Sequence, residues 1–116
     1  MNVFVLNSGR CGSMTFIRAC RHIRNYSAGH ESRVQLLGEQ RLAYAPDHIE
    51  ADNRLCWLLG RLDAAYGEHA YYVHLSREPA ATAVSSTRSA GTSPPAAVTA
   101  FARRMPCSDR GVRVRL

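Results

Sequence analysis

Apolar residues recur along this chain at two different spacings. Val3-Phe4-Val5-Leu6 is a continuous apolar run stopped by Asn7-Ser8-Gly9. Unbroken apolarity of that length predicts a strand covered on both faces, as in the middle of a parallel sheet. Over residues 13–25 the spacing changes: Phe16, Ile17, Cys20 and Ile23 fall on one helical stripe, with Arg18, Arg21 and Arg24 off it. This predicts a helix with a solvated basic face. Residues 26–46 are mixed. Val34-Gln35-Leu36-Leu37-Gly38 reads equally as a helical turn or a strand, and Ala45-Pro46-Asp47 as a turn. His48-Ile49-Glu50-Ala51 suggests a second short strand. Leu55, Leu58, Leu59, Leu62, Ala65 and Tyr66 make the clearest helical stripe, with Asp52 or Asn53 as its N-cap and Gly67 at its end. Ala70-Tyr71-Tyr72-Val73-His74-Leu75 predicts the next strand. Ser76-Arg77-Glu78-Pro79 then turns into a further helix through Ser86, with Pro79 in its first turn.

Strands alternating with helices imply right-handed crossovers and a parallel sheet. The expected fold is α/β, a three-layer arrangement with a small parallel sheet flanked by helices. Such sheets bind ligands at the carboxyl ends of their strands. Two loops leave strands at that end, residues 7–13 and 76–79. Beyond Thr87 the composition shifts: Ser89-Ala90-Gly91-Thr92-Ser93-Pro94-Pro95 has linker character, and the rest offers little that packs. The expected organisation is one domain over residues 1–88 and a tail of low order over 89–116.

Composition narrows the function classes. A chain of 116 residues suits one small domain, and 46% hydrophobic residues suit a globular one. The formal charge is +6, and every basic side chain is Arg. Any anion held by a cationic side chain is therefore held by a planar guanidinium, which matches phosphate and sulfate oxygens. The arginines are scattered, without a basic run or interleaved aromatics, so a nucleic-acid partner ranks low. Cys11, Cys20, Cys56 and Cys107 show no two-residue metal or redox spacing. A reduced, cytoplasmic setting is the expectation, with no metal. No segment approaches the roughly 18 apolar residues of a membrane span.

The chemistry concentrates between the first strand and the first helix. Gly9 and Gly12 let backbone approach an anion, and amides at a helix start point towards it. Arg10 adds a full charge; Ser13 and Thr15 add hydroxyls. The nucleoside-triphosphatase version of such a loop needs Gly-Lys-Ser/Thr, and this chain has no Lys. A Cys-x5-Arg phosphatase loop also fails, because six residues separate Cys11 from Arg18.

Arg10-Cys11-Gly12-Ser13 resembles the 5′-phosphosulfate loop of the sulfotransferases that use 3′-phosphoadenosine 5′-phosphosulfate (PAPS). The Arg form is similar to the bacterial and tyrosylprotein branches. Met14 stands where that family usually carries a second hydroxyl. The family also holds the nucleotide's 3′-phosphate with an Arg at the end of a later strand and a Ser eight residues on. Arg77 and Ser85 have that spacing here. The resemblance spans residues 1–86 of a family whose members are usually about twice this length, and it implies a P-loop-like fold that is incomplete relative to them. It further implies PAPS as cofactor, adenosine 3′,5′-bisphosphate as product, and a cofactor site of Gly9, Arg10, Cys11, Gly12, Ser13, Met14, Thr15, Arg77 and Ser85.

Sulfuryl transfer needs charge stabilised on the leaving oxygen and a base for the acceptor hydroxyl or amine. Arg10 fits the first role. The resemblance points to Glu31 for the second, 21 residues beyond Arg10 in Gly29-His30-Glu31-Ser32, with His30 as the next choice. His48 and Glu50 form a second polar pair. The acceptor class stays open among small molecules, carbohydrates and peptides. Two alternatives stand beside the enzyme: a non-catalytic nucleotide- or anion-binding domain, and a small basic nucleic-acid-binding protein. A sheet this small would also expose an edge that invites pairing into a homo-oligomer.

Overall fold

The computed structural model describes residues 1–81, 83, 84 and the backbone of 112–115. Its strands are β1 (Asn2–Asn7), β2 (Ser27–His30), β3 (His48–Ala51), β4 (Ala70–Ser76) and β5 (Val112–Arg115); its α-helices include α1 (Ser13–Cys20) and α2 (Leu59–Tyr66), and residues 79–81, 83 and 84 are helical as well. The strands form one sheet in the order β2-β3-β1-β4-β5, with every pair parallel. The most apolar strand, β1, lies in the middle.

Alternation along β1 sends side chains to two separate cores. Val5 joins Ile49, Ala51, Val73 and Leu75 on one face, where Ile17 and Cys20 of α1 cover it. Phe4 and Leu6 face the other way, against Leu42, Tyr44, Leu55 and Leu62. Helical elements on both faces make a three-layer α/β fold, as the strand–helix alternation predicts. Phe4 is fully buried, with its ring centroid 5.5 Å from Tyr44, 5.1 Å from Tyr66 and 5.9 Å from Tyr72. Burial of such a side chain contributes about 1.5–3 kcal/mol before any aromatic pairing. The second core is closed by polar contacts as well. Tyr66 donates its hydroxyl to the Leu42 carbonyl, and Arg41 pairs with the fully buried Asp52.

Four features depart from the sequence reading. The first helix ends at Cys20 rather than Asn25. Short bonds from His22 N to Ala19 O and Ile23 N to Cys20 O tighten the chain into turns, so Ile23 leaves the stripe and is 42% exposed. Secondly, Ser27–His30 is a strand, although Ser-Ala-Gly-His carries no β-branched residue; pairing with β3 supplies its conformation. Thirdly, the helix after Asp52 begins as a tighter 3-10 turn over Asn53–Leu58 before α2. Asp52 caps it by accepting from Arg54 N at 2.8 Å, and Gly67 ends α2 with φ 49°. Fourthly, Val112–Arg115, which fall in the segment expected to be a tail, pair with Val73–Ser76. The alternation Val-Arg-Val-Arg there is a strand pattern. The rest of that segment lies outside the described residues, as does Ser85.

Candidate functional site

The loop between β1 and α1 is built by a run of left-handed backbone. Asn7, itself buried, turns its Oδ1 back to accept from Gly9 N at 2.9 Å. Gly9, Arg10 and Gly12 then have φ of 80°, 54° and 86°. At Gly9 two constraints coincide, because a Cβ there would also meet Asn53 Nδ2 at 3.3 Å. At Gly12 a Cβ would meet nothing within 4 Å, so that side of the loop is open. For Arg10 the same region costs a non-glycine residue about 1–2 kcal/mol, the kind of strain that clusters at functional sites.

Gly12 is the N-cap of α1, and it brings no capping side chain and no acidic residue in the first turn. The first-turn amides have no acceptor within the helix. They face the carboxyl end of the sheet together with the helix dipole, an arrangement that favours an anion. Cys11 is buried at 2% exposure, so it offers this site its backbone and not its thiol. Ser13 is buried too, and its Oγ lies 3.0 Å from His30 Nε2 at the end of β2. Met14 and Thr15 are exposed on the first turn of α1.

Two further strand ends meet this loop. Arg77 follows β4 and donates through Nη1 to the Arg10 carbonyl at 3.5 Å, so its guanidinium lies beside the loop. Glu31 follows β2 with φ 50°, its N–H bonded to Ala51 O at 3.0 Å. Its carboxylate turns to Arg54, 3.5 Å away, whereas the neighbouring His30 turns to Ser13. Gly9, Arg10, Cys11, Gly12, Ser13, His30 and Arg77 are thus gathered at the carboxyl end of the sheet. Sequence reasoning missed the residues that brace the loop from below. Cys56 donates to the Asn7 carbonyl at 3.5 Å, and Asn53 lies against Gly9 with its Oδ1 buried and unbonded. Asn53 signals only a helix start in the sequence, and Cys56 signals nothing about its contact with residue 7.

Among the described residues, no group of three or more His, Cys, Asp or Glu could hold a metal ion. No helix among them is long and apolar enough to cross a membrane. No protein-family model matches the chain, and no curated protein matches it significantly. A gluconokinase from Sinorhizobium meliloti 1021, known as a crystal structure, superposes with a TM-score of 0.67 at 13% sequence identity, covering 98% of this chain and 81% of its own. Likeness at that identity is a likeness of fold, and the fold is P-loop-like.

Proposed function

We propose that this chain binds PAPS at the carboxyl end of its sheet and transfers the sulfuryl group to a hydroxyl or amine acceptor. One observation carries the reading: Arg77, at the end of β4, lies against the same glycine loop that presents Arg10 and the first-turn amides of α1. A 3′-phosphorylated nucleotide offers two anionic groups, and this arrangement offers two cationic places. Gly12 opens onto free space, and no carboxylate stands in the first turn, so the residues present suit an anion there. The 5′-phosphosulfate belongs with residues 9–15 and the 3′-phosphate with Arg77 and Ser85. The bound cofactor supplies the sulfuryl group. Arg10 stabilises negative charge near the loop, and the contact with Ser13 favours His30 over Glu31 as the group that takes the acceptor's proton.

The gluconokinase likeness favours a second reading, phosphoryl transfer from a nucleoside triphosphate. The absence of any Lys from the chain weighs against it. Thermal unfolding with each nucleotide separates the two. Adenosine 3′,5′-bisphosphate at about ten times its Kd is expected to stabilise the chain by about 1.4 kcal/mol, a rise of several degrees in Tm. ATP should give a smaller rise. Arg77→Ala should remove most of the bisphosphate effect while leaving the unliganded Tm close to that of the native chain. No shift with the bisphosphate, or a larger one with ATP, overturns the PAPS reading. Transfer of labelled sulfate from PAPS to a panel of hydroxyl acceptors then tests the reaction itself, with His30→Gln expected to slow it more than Glu31→Gln.

A further inference from the structure

Along β2 and β3, from Ser27 and His48 at their amino ends to Ser32 just past β2, runs a polar cluster that the anion loop does not use. Glu50 is fully buried in β3, where its neighbours in the sheet are apolar. Burying a carboxylate is costly unless it is bonded, and this one is bonded three times. It accepts from Ser32 N and Ser32 Oγ, each at 2.7 Å, and from His48 Nε2 at 2.8 Å. The arrangement also needs Gly29, because a Cβ there would lie 2.5 Å from Glu50 Oε2.

The bonds fix the histidine's tautomer. An ionised carboxylate only accepts, so His48 carries a proton on Nε2, and in the neutral imidazole the lone pair is then on Nδ1. Burial pushes the Glu50 carboxyl up, but the bonds from His48 and Ser32 outweigh burial and hold it below its ordinary value of 4.5, so it is ionised at neutral pH. The Nδ1 lone pair meets Ser27 Oγ at 2.7 Å, so the Ser27 hydroxyl donates to it. Tyr44 stacks on the imidazole, centroids 5.4 Å apart and 13° from parallel, which holds the ring plane. The result is serine, imidazole and carboxylate in one hydrogen-bonded row, with the serine exposed and the acid buried.

The geometry points to Ser27 as an activated nucleophile for acyl transfer from a small ester, with His48 as its general base and Glu50 as the group that orients the base. Triads of this kind are recognised by geometry and roles rather than by fold or order. One feature beyond the row supports it. Ser27 N and Glu31 N bond to Asp47 O and Ala51 O across the sheet, so alternation turns the Ala28 N–H away from β3, toward the outer edge of β2. An N–H one residue after a nucleophilic serine is a donor for a developing oxyanion.

The step balances. Ser27 Oγ bonds to the carbonyl carbon while its proton passes to His48 Nδ1, and the imidazolium is stabilised by Glu50. The alcohol departs with that proton as the carbon–oxygen bond breaks. Water then attacks the acyl-serine by the same route, releasing the acid and restoring Ser27. Ser27 and His48 sit at the amino ends of their strands, and the centre stands whether or not the loop at the carboxyl ends takes a nucleotide.

Labelling the full chain with a biotin-tagged fluorophosphonate tests it. Ser27 Oγ bonds to phosphorus, fluoride leaves, and the proton passes through His48 to water. Mass spectrometry should find Ser27 labelled at least about tenfold faster than any other serine in the same molecules, and His48→Gln should slow that labelling by about a hundredfold or more. Circular dichroism reports whether His48→Gln is folded; if it is not, selectivity within the native chain decides alone. Native protein labelled nowhere, or equally at all its serines, overturns the proposal. So does a folded His48→Gln variant labelled as fast as the native chain.

Discussion

The loop at residues 7–13 and the polar groups around β3 use similar side chains in opposite ways. In the loop the charge of Arg10 is exposed, the backbone is held left-handed, and the space over Gly12 is open. Around β3 the charges are buried and matched: Arg41 with Asp52, and Glu50 with Ser32 and His48. The first region holds strained backbone beside open space. The second satisfies its donors internally and thereby fixes where β2, β3 and the intervening segment lie. Function at the loop depends on the open space beside its backbone, and stability around β3 depends on its buried charges being matched.

The largest expected effect follows from that contrast. Asp52→Ala strands the Arg41 guanidinium at 7% exposure with only the Tyr44 hydroxyl, 3.1 Å away, as its side-chain partner. Breaking a buried ion pair from one side costs about 3–5 kcal/mol, a large share of a small domain's total stability. Arg10→Ala removes an exposed charge and should change stability by less than about 0.5 kcal/mol. Urea unfolding of the two variants measures both. Similar losses would break the contrast, because Arg10 would then be holding the fold as Asp52 does.

The two regions also differed in how far they could be read from the sequence. The loop was legible because its signals are local: glycines, an arginine and a serine lie within a few residues between a strand pattern and a helix pattern. β1, β3, β4 and the stripe from Leu55 to Tyr66 were legible for the same reason, since their periodicity is carried by their own residues. β2 was not. Ser27-Ala28-Gly29-His30 has no strand propensity of its own, and its conformation comes from Ile49 and Glu50 across the sheet. His48 and Glu50 stood out as polar residues, but their partners Ser27 and Ser32 belong to a segment without periodicity. The link between Ser13 and His30 joins two residues picked out separately, one for the loop and one for proton transfer; only the crossover from α1 to β2 brings them together. Glu31 and His30 are adjacent in sequence, so spacing could not tell which would face the loop.

Glycine substitutions sharpen the comparison at a middle scale. Gly29→Ala drives a methyl group into Glu50 Oε2 at 2.5 Å and His48 Nε2 at 3.1 Å, and overpacking of this kind costs about 1–3 kcal/mol. Gly12→Ala meets no atom within 4 Å, so its cost is the left-handed φ of 86° alone, about 1 kcal/mol. Asparagine separates the causes, because it tolerates left-handed backbone and is larger than alanine. In thermal unfolding, Gly12→Asn should be more stable than Gly12→Ala, and Gly29→Asn less stable than Gly29→Ala. The same order at both positions would mean that one mechanism governs both.

The smallest effect is a slope against pH. Burial alone would raise the Glu50 carboxyl, yet its bonds from His48 and Ser32 outweigh burial and leave it below 4.5. A group whose folded value is depressed binds protons more weakly when folded than when unfolded. Its contribution to stability is therefore complete above about 4.5 and drains away as the pH falls through the lower folded value. Glu31 shows the contrast from the other region: partly exposed, it faces Arg54 across 3.5 Å, a surface pair that contributes about 0–1 kcal/mol. Unfolding free energy measured between pH 6 and pH 3 should fall with acid in the native chain and in Glu31→Gln alike. In Glu50→Gln the fall should be shallower, because the amide cannot take up the proton that the unfolded carboxylate accepts. An undiminished acid slope in Glu50→Gln would mean that the carboxylate is not the group whose pairing holds β2 and β3 together.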